Sequence, residues 1–244
     1  MKKEYETFQE YKDWLAKDNN WAYYTKADFT FSSPRTEIVG IMDIANGMDI
    51  LEVGCADGKT LGFIKERFNV KLYGIEPDEE NAKLADSHGD IFHGTVEDFI
   101  IKYPDKRFDG IIMADVIEHL LEPWSVVRDV AGMLKTGGSI YASIPNFFHA
   151  TVIYNLFKTG SFAYHSSDLT NKDHLRFFTF FDAMILFVMS GLKPVFIGGI
   201  RLPIENDYKK LDELIEMVKP ILDTFARNDY YSDFYQLIIK ATKE

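Results

Sequence analysis

Asp49-Ile50-Leu51-Glu52-Val53-Gly54-Cys55-Ala56-Asp57-Gly58 is the stretch on which the fold turns. Its first five residues are mostly aliphatic and read as a buried strand. The small residues at 54, 56 and 58 let the backbone bend sharply and let a ligand approach it closely. Leu61, Ile64 and Phe68 then recur at helical spacing. A pyrophosphate-binding turn needs G-x-G-x-x-G, with the phosphates on the helix N-terminus. Positions 54, 56 and 59 are Gly, Ala and Lys instead, and the actual spacing is Gly-x-Ala-x-Gly. Such a turn suits a ligand without a pyrophosphate.

Further strands follow at α/β spacing: 71–76, 91–93, 108–114, 139–144, 195–200 and 234–240. Pro77 stands near the start of a short helix. Pro123 opens another, with Val127, Val130, Ala131 and Leu134 as its apolar stripe and Thr136-Gly137-Gly138 as its expected stop. Strands alternating with helices predict an α/β protein with a parallel sheet. The main domain is expected over 46–244, preceded by a partly helical N-terminal cap over 1–45. Insertions at 147–176 and 201–232 leave the carboxyl edge of the sheet, where ligands bind, and are candidates for a lid.

Composition narrows the function. With 27 Lys plus Arg against 38 Asp plus Glu, the 244-residue chain carries a formal charge of −11. That balance argues against broad nucleic-acid or anionic-membrane binding, both of which need a basic field. A single cysteine, Cys55, excludes a disulfide framework and any cysteine-based zinc site. The first six residues carry charges of both signs and lead into no apolar run, unlike a signal peptide. The most apolar stretch, 177–200, is interrupted by Asp182, Lys193 and Pro194, so no membrane span is expected. A soluble, cytoplasmic protein is the expectation. No feature of the sequence speaks to oligomeric state.

Glu76 ends the second strand, where a carboxylate can accept hydrogen bonds from two adjacent ribose hydroxyls; an exposed strand end is the plainer alternative. Together with the glycine turn, Glu76 points to an adenosine-type ligand. The ordered marks are Leu51 to Gly58, Gly74-Ile75-Glu76-Pro77, Thr95-Val96-Glu97-Asp98, Phe108 to Ile112, Val116-Ile117-Glu118-His119 and Leu134 to Gly138. This series resembles the class I S-adenosylmethionine-dependent methyltransferases over residues 48–200 and again at 234–240. Thr95 to Asp98 and Val116 to His119 look most like the small-molecule O-methyltransferases related to ubiquinone biosynthesis. Residues 173–179 look like methyltransferases that accompany glycan assembly. The resemblance implies a Rossmann-like, seven-stranded, mostly parallel sheet with helices on both faces and an antiparallel last strand. It implies S-adenosylmethionine as cofactor. Glu52, Gly54, Cys55, Ala56, Asp57 and Gly58 would line its methionine half, Glu76 with Pro77 its ribose, Val96 and Glu97 its adenine. Ala114 and Asp115 would face the methionine amino group or the acceptor. Ala56 stands where the family has a glycine, and Thr95 where the wider class often has Asp.

Methyl transfer to a hydroxyl calls for positioning, which can supply roughly 7–11 kcal/mol of the barrier, and for a base. His119, beside the expected transfer zone, is the first candidate base, against a structural role bonding the loop. His174 with Arg176 is the second site of interest, as an orienting pair for an anionic or polyhydroxyl acceptor, against a surface ion pair with Asp173. Asn146, His149, Tyr164 and His165 are candidates for touching a small-molecule acceptor, against turn and core roles. No metal is expected, because Asp115 and Glu118 lack an accompanying His-x-x-x-His or carboxylate set. Three rivals stay open: a protein or RNA methyltransferase, a non-catalytic cofactor-binding domain, and a nicotinamide-dependent oxidoreductase, which lacks its phosphate fingerprint here.

Overall fold

The strands β1 (Asp49–Val53), β2 (Lys71–Glu76), β3 (Asp90–His93), β4 (Phe108–Ala114), β5 (Leu134–Pro145), β6 (Lys193–Ile200) and β7 (Gln236–Thr242) form one sheet. Its order is β3-β2-β1-β4-β5-β7-β6. The computed structural model describes residues 33–162, 164, 169–200 and 234–244. The pairs β1/β2, β1/β4, β2/β3 and β4/β5 are parallel, and β7 runs antiparallel to both β5 and β6. The chain builds outward from β1 to β3, then returns to place β4 on the other side of β1. That reversal opens a crevice beyond the carboxyl ends of β1 and β4, the usual ligand position in such sheets.

The helices are α1 (Thr36–Val39), α2 (Lys59–Lys65), α3 (Glu79–Ala85), α4 (Val96–Lys102), α5 (Pro123–Gly132), α6 (Ala150–Thr159) and α7 (Phe180–Met189). Side-chain caps start several of them. Asp78 accepts from the Asn81 N–H, Thr95 from Asp98, and Thr179 forms a reciprocal capping box with Asp182. Two apolar layers hold the helices against opposite faces of the sheet. Val127 and Val130 of α5 and Leu186 and Phe187 of α7 pack with Leu51, Val53, Ile111 and Met113. Leu61 and Ile64 of α2, Ala85 of α3 and Ile38 and Val39 of α1 pack with Ile50 and Ile112. Neighbouring residues of β1 and β4 thus serve opposite faces, the period-two geometry of a strand covered on both sides.

One element differs from the sequence expectation. The helix opened by Pro123 ends at Gly132, capped by Met133, and not at Gly137-Gly138. Leu134 already pairs with Phe108 in the sheet, and the Phe108 N–H donates to the Met133 carbonyl at 2.9 Å. Leu134 is buried in the same core as Val127 and Val130, so its spacing extends a helical stripe that the backbone has left. Gly137, at φ +80, falls inside β5. Of the expected N-terminal cap, residues 33–45 are described and contain α1; residues 1–32 and the insertion at 201–232 lie outside the described residues.

Candidate functional site

The turn after β1 is built by positive-φ backbone. Gly54 (φ +67) could carry no side chain, because a Cβ there would lie 2.7 Å from Cγ2 of Val116. Gly58 (φ +77) is closed off in the same way by the Ala85 backbone at 2.8 Å. Ala56 adopts φ +46 despite its methyl group, a strained conformation for an L-residue. The N–H groups of Gly54 and Cys55 both donate to the Ile75 carbonyl, tying the turn to β2.

Glu76 sits opposite this turn with its side chain fixed from two sides. One carboxylate oxygen accepts from the Ala56 N–H at 2.8 Å, the other from the Asp78 N–H at 2.9 Å. Each oxygen keeps a second acceptor position, and the residue lines a cavity of about 420 Å³, within the range of small-ligand sites. Gly54, Ala56, Glu76 and Pro77 form one wall, Val96 and Glu97 the next, and Ala114, Asp115 and His119 the third. The structure therefore gathers nine of the residues singled out in the sequence around one space. Val53, Ile75, Asn81, Thr95, Val116, Leu120 and Leu121 complete the lining.

Glu52, Cys55 and Asp57 line a smaller recess against the same turn, together with Ser33, Arg35, Lys59 and Thr60. Burial pushes the Cys55 thiol far up, with Glu52 adding to the shift, and its side chain packs with Leu61 and Ile64 of α2. Glu52 is buried, and its Oε2 has no hydrogen-bond partner among the described residues. Burial raises its carboxyl to about 8, against the opposing influence of the Thr60 hydrogen bond and the Arg35 charge.

Arg35 was not among the residues selected from the sequence. Its guanidinium donates to Asp115 and Glu37, both at 2.5 Å, to the Ser143 hydroxyl at 2.9 Å and to Gln236 at 3.3 Å. Ser143 and Gln236 also donate to Asp115, so Asp115 is held at φ +54 by three elements at once. Burial alone would lower the Arg35 pKa, but Asp115 and Glu37 raise it. A lone arginine behind Pro34 belongs to no periodic pattern, and no local signal marks it.

Beyond β5, Asn146 is fully buried; its amide donates to the Phe234 carbonyl, and its oxygen accepts from the Phe148 N–H. His149 is also buried; it caps α6 through Thr151 and meets Tyr235 edge-on. Both side chains are engaged in the frame of this edge. Tyr164 is exposed and joins Phe147, Phe162 and Phe177 in an aromatic cluster; His165 lies outside the described residues. Arg176 donates to the carbonyls of Leu121 and Leu175. The N–H groups of Leu175 and Arg176 donate to the Glu118 carbonyl at 2.8 and 3.0 Å. This latch brings His174 to His119, ring centroids 4.9 Å apart. Glu118 lies beneath both, 1% exposed. Burial pushes its carboxyl well above the usual range, with Asp115 adding to the shift, while burial and His119 lower the His174 pKa.

The sequence pattern of the family described as methionine biosynthesis protein MetW matches residues 35–188. The chain belongs to the MetW family. Among curated proteins it is 29% identical over 107 residues to the ubiquinone biosynthesis O-methyltransferase of Proteus mirabilis, covering 41% of this chain and 43% of that enzyme. It is 23% identical over 152 residues to 27-O-demethylrifamycin SV methyltransferase of Amycolatopsis mediterranei, covering 57% and 55%. The chain thus spans less than two thirds of the curated relatives it matches. The fold is that of S-adenosylmethionine-dependent methyltransferases. A Thermotoga maritima methyltransferase described as a possible histamine N-methyltransferase superposes with a TM-score of 0.58 at 18% identity, covering 97% of this chain and 95% of that one. A plantazolicin methyltransferase solved with S-adenosylhomocysteine superposes with a TM-score of 0.53 at 16% identity, covering 80% and 77%. Among the described residues of this MetW-family chain, no helix is long and apolar enough to cross a membrane.

Proposed function

We propose that the protein is an S-adenosylmethionine-dependent methyltransferase acting on a hydroxyl oxygen of a small molecule, of the quinone, sugar or glycan-precursor kind. The observation that carries this reading is the Glu76 carboxylate, fixed against the glycine turn by the Ala56 and Asp78 N–H groups, with acceptor positions left over on the wall of a cavity of about 420 Å³. Glu76 would take both ribose hydroxyls. Val96 and Glu97 would border the adenine. Glu52, with its unpartnered oxygen, suits an ammonium group, and the neighbouring Arg35 suits a carboxylate, so the two fit the amino-acid end of the cofactor.

The bound cofactor supplies a methyl group already activated on a sulfonium, so the chain needs no nucleophile of its own. Its residues hold the acceptor in line and exclude water, the kind of positioning worth roughly 7–11 kcal/mol. The acceptor would enter by His119, Leu121 and the aromatic cluster of the 147–176 insertion, which we assign to substrate selection. His119 donates its Nδ1–H to the Asp173 carbonyl at 3.0 Å. The His119 ring is thereby held at the acceptor edge of the cavity, the place for a group that assists loss of a hydroxyl proton. Oxygen as the acceptor atom is supported by the names of the curated relatives alone. The single buried cysteine and the acidic charge suit a cytoplasmic enzyme.

The test is a ligand panel followed by a transfer assay. S-Adenosylhomocysteine at a hundred times its Kd should stabilise the protein by about 2.7 kcal/mol, and NAD should not. Stabilisation by NAD alone would move the protein to the oxidoreductases. Cofactor binding without methyl release to any hydroxyl acceptor would make it a binding domain.

A further inference from the structure

The cluster of Glu118, His119 and His174 stands apart from the cofactor contacts, and its hydrogen bonding is incomplete. Glu118 lies in the 3₁₀ turn Ile117–His119 that follows β4. It is 1% exposed, and neither of its carboxylate oxygens has a hydrogen-bond partner among the described residues. A buried carboxylate without a partner is strongly disfavoured. The two groups nearest to it offer no hydrogen to relieve it. His119 donates its Nδ1–H to the Asp173 carbonyl at 3.0 Å, and His174 donates its Nδ1–H to the Leu169 carbonyl at 3.1 Å. In a neutral imidazole the other nitrogen is then a bare acceptor. The two Nε2 atoms each lie 3.9 Å from the same Glu118 oxygen. Lone pairs from three side chains thus converge with no donor among them.

A proton on Glu118 does not resolve this, since 3.9 Å is well beyond hydrogen-bond length. A cation does. Zinc binds imidazole nitrogen and carboxylate oxygen at about 2.0–2.2 Å, so 3.9 Å between two donors is close to the span of two such bonds. The three donor atoms lie within 4.8 Å of one another, and closing them on one ion takes a shift of under about 1 Å on that bond length. The backbone carbonyls on both Nδ1–H groups are the outer contacts that orient metal-binding histidines and fix their tautomers. The 169–176 segment is held in place independently, by the Leu175 and Arg176 N–H groups on the Glu118 carbonyl.

We propose that Glu118, His119 and His174 bind one divalent transition-metal ion of the zinc type at the acceptor edge of the cavity. Two imidazoles and one carboxylate select such an ion over magnesium or calcium, which prefer all-oxygen sites. Three protein ligands would leave a coordination position open, and His119 lines the cavity wall, so an ion held here would lie beside the acceptor edge. The consequence for catalysis rests on the methyl-transfer reading, while the metal site does not. Held by these three residues, the ion would make it easier for an acceptor hydroxyl to lose its proton to solvent water. The hydroxyl oxygen then forms the new bond to the methyl carbon as the S–CH₃ bond breaks, with that electron pair staying on sulfur.

The experiment uses the full chain, stripped with EDTA and titrated with ZnCl₂, CoCl₂ and MgCl₂ by calorimetry, with the visible absorption of bound Co²⁺ as a second signal. One equivalent of zinc and of cobalt should bind, zinc should displace cobalt and bleach its bands, and magnesium should not compete. Glu118→Gln and His119→Gln should each weaken zinc at least about tenfold, while circular dichroism and thermal melts of the same samples report an intact fold. No stoichiometric zinc binding, or zinc affinity unchanged in both variants, overturns the site. Zinc binding without any S-adenosylhomocysteine binding keeps the site and removes the methyltransferase reading instead. Methyl transfer at full rate by the stripped protein overturns the role assigned to the ion in the reaction.

Discussion

Replacing Glu76 separates its two tasks, holding the turn and holding the ligand. In Glu76→Ala the N–H groups of Ala56 and Asp78 lose their acceptor. Each unpaired N–H costs about 1–3 kcal/mol, toward the lower end because water can enter from the cavity, so a loss of about 2–4 kcal/mol is expected. For a chain of this size that lowers Tm by about 4–16 °C. Two charge-assisted bonds to the ribose hydroxyls would also vanish, each worth about 1.5–3 kcal/mol. Water filling the vacated space returns part of this, leaving about 1.5–3 kcal/mol, which is about 10–150-fold in Kd. Calorimetry with S-adenosylhomocysteine, at a temperature where circular dichroism shows the variant folded, measures the second effect free of the first. A folded variant with Kd within twofold of the parent would refute the ribose role and, with it, the placement of the cofactor in this cavity.

Three further outcomes follow from the same network. Glu52 carries a carboxyl raised from 4.5 to about 8 by burial; the folded state therefore holds a proton that the unfolded state releases, and stability present below about pH 4.5 is lost as pH rises through 8. Glu52→Gln should flatten that decline in urea titrations of the ligand-free protein, and an unchanged slope would contradict the raised pKa. Arg35→Ala breaks a largely buried pair with Asp115, with an expected loss of about 3 kcal/mol and a Tm lower by about 6–12 °C; a shift below about 2 °C would reduce the Arg35 cluster to a surface contact. Ala56→Gly releases about 1–2 kcal/mol of left-handed strain against about 0.4–1 kcal/mol of added chain entropy, so thermal melts should show Tm unchanged or slightly raised; a clear fall would place the cost elsewhere.

What could be read along the chain was whatever the chain encodes locally. Central strands of a parallel sheet are covered on both faces, so β1, β2 and β4 are mainly apolar, and their limits were legible. The turn after β1 and the carboxylate ending β2 are likewise local, because strand pairing alone carries them together. The start of β5 was not legible: Leu134 fits a helical stripe and a strand equally well, and only its pairing with Phe108 decides between them. Arg35 was illegible for a related reason, and so was the contact that orients His119, although His119 and His174 were themselves singled out along the chain. Arg35 gains its meaning from Asp115, 80 residues later, and the Asp173 carbonyl that orients His119 lies 54 residues further along the chain. Sequence determined the sheet, the bend and the carboxylate facing it. Tertiary structure alone decided that buried Glu52 would sit beside Arg35, and that two histidine lone pairs would converge on an unpartnered carboxylate, because desolvation and charge act through space and leave no trace in residue order.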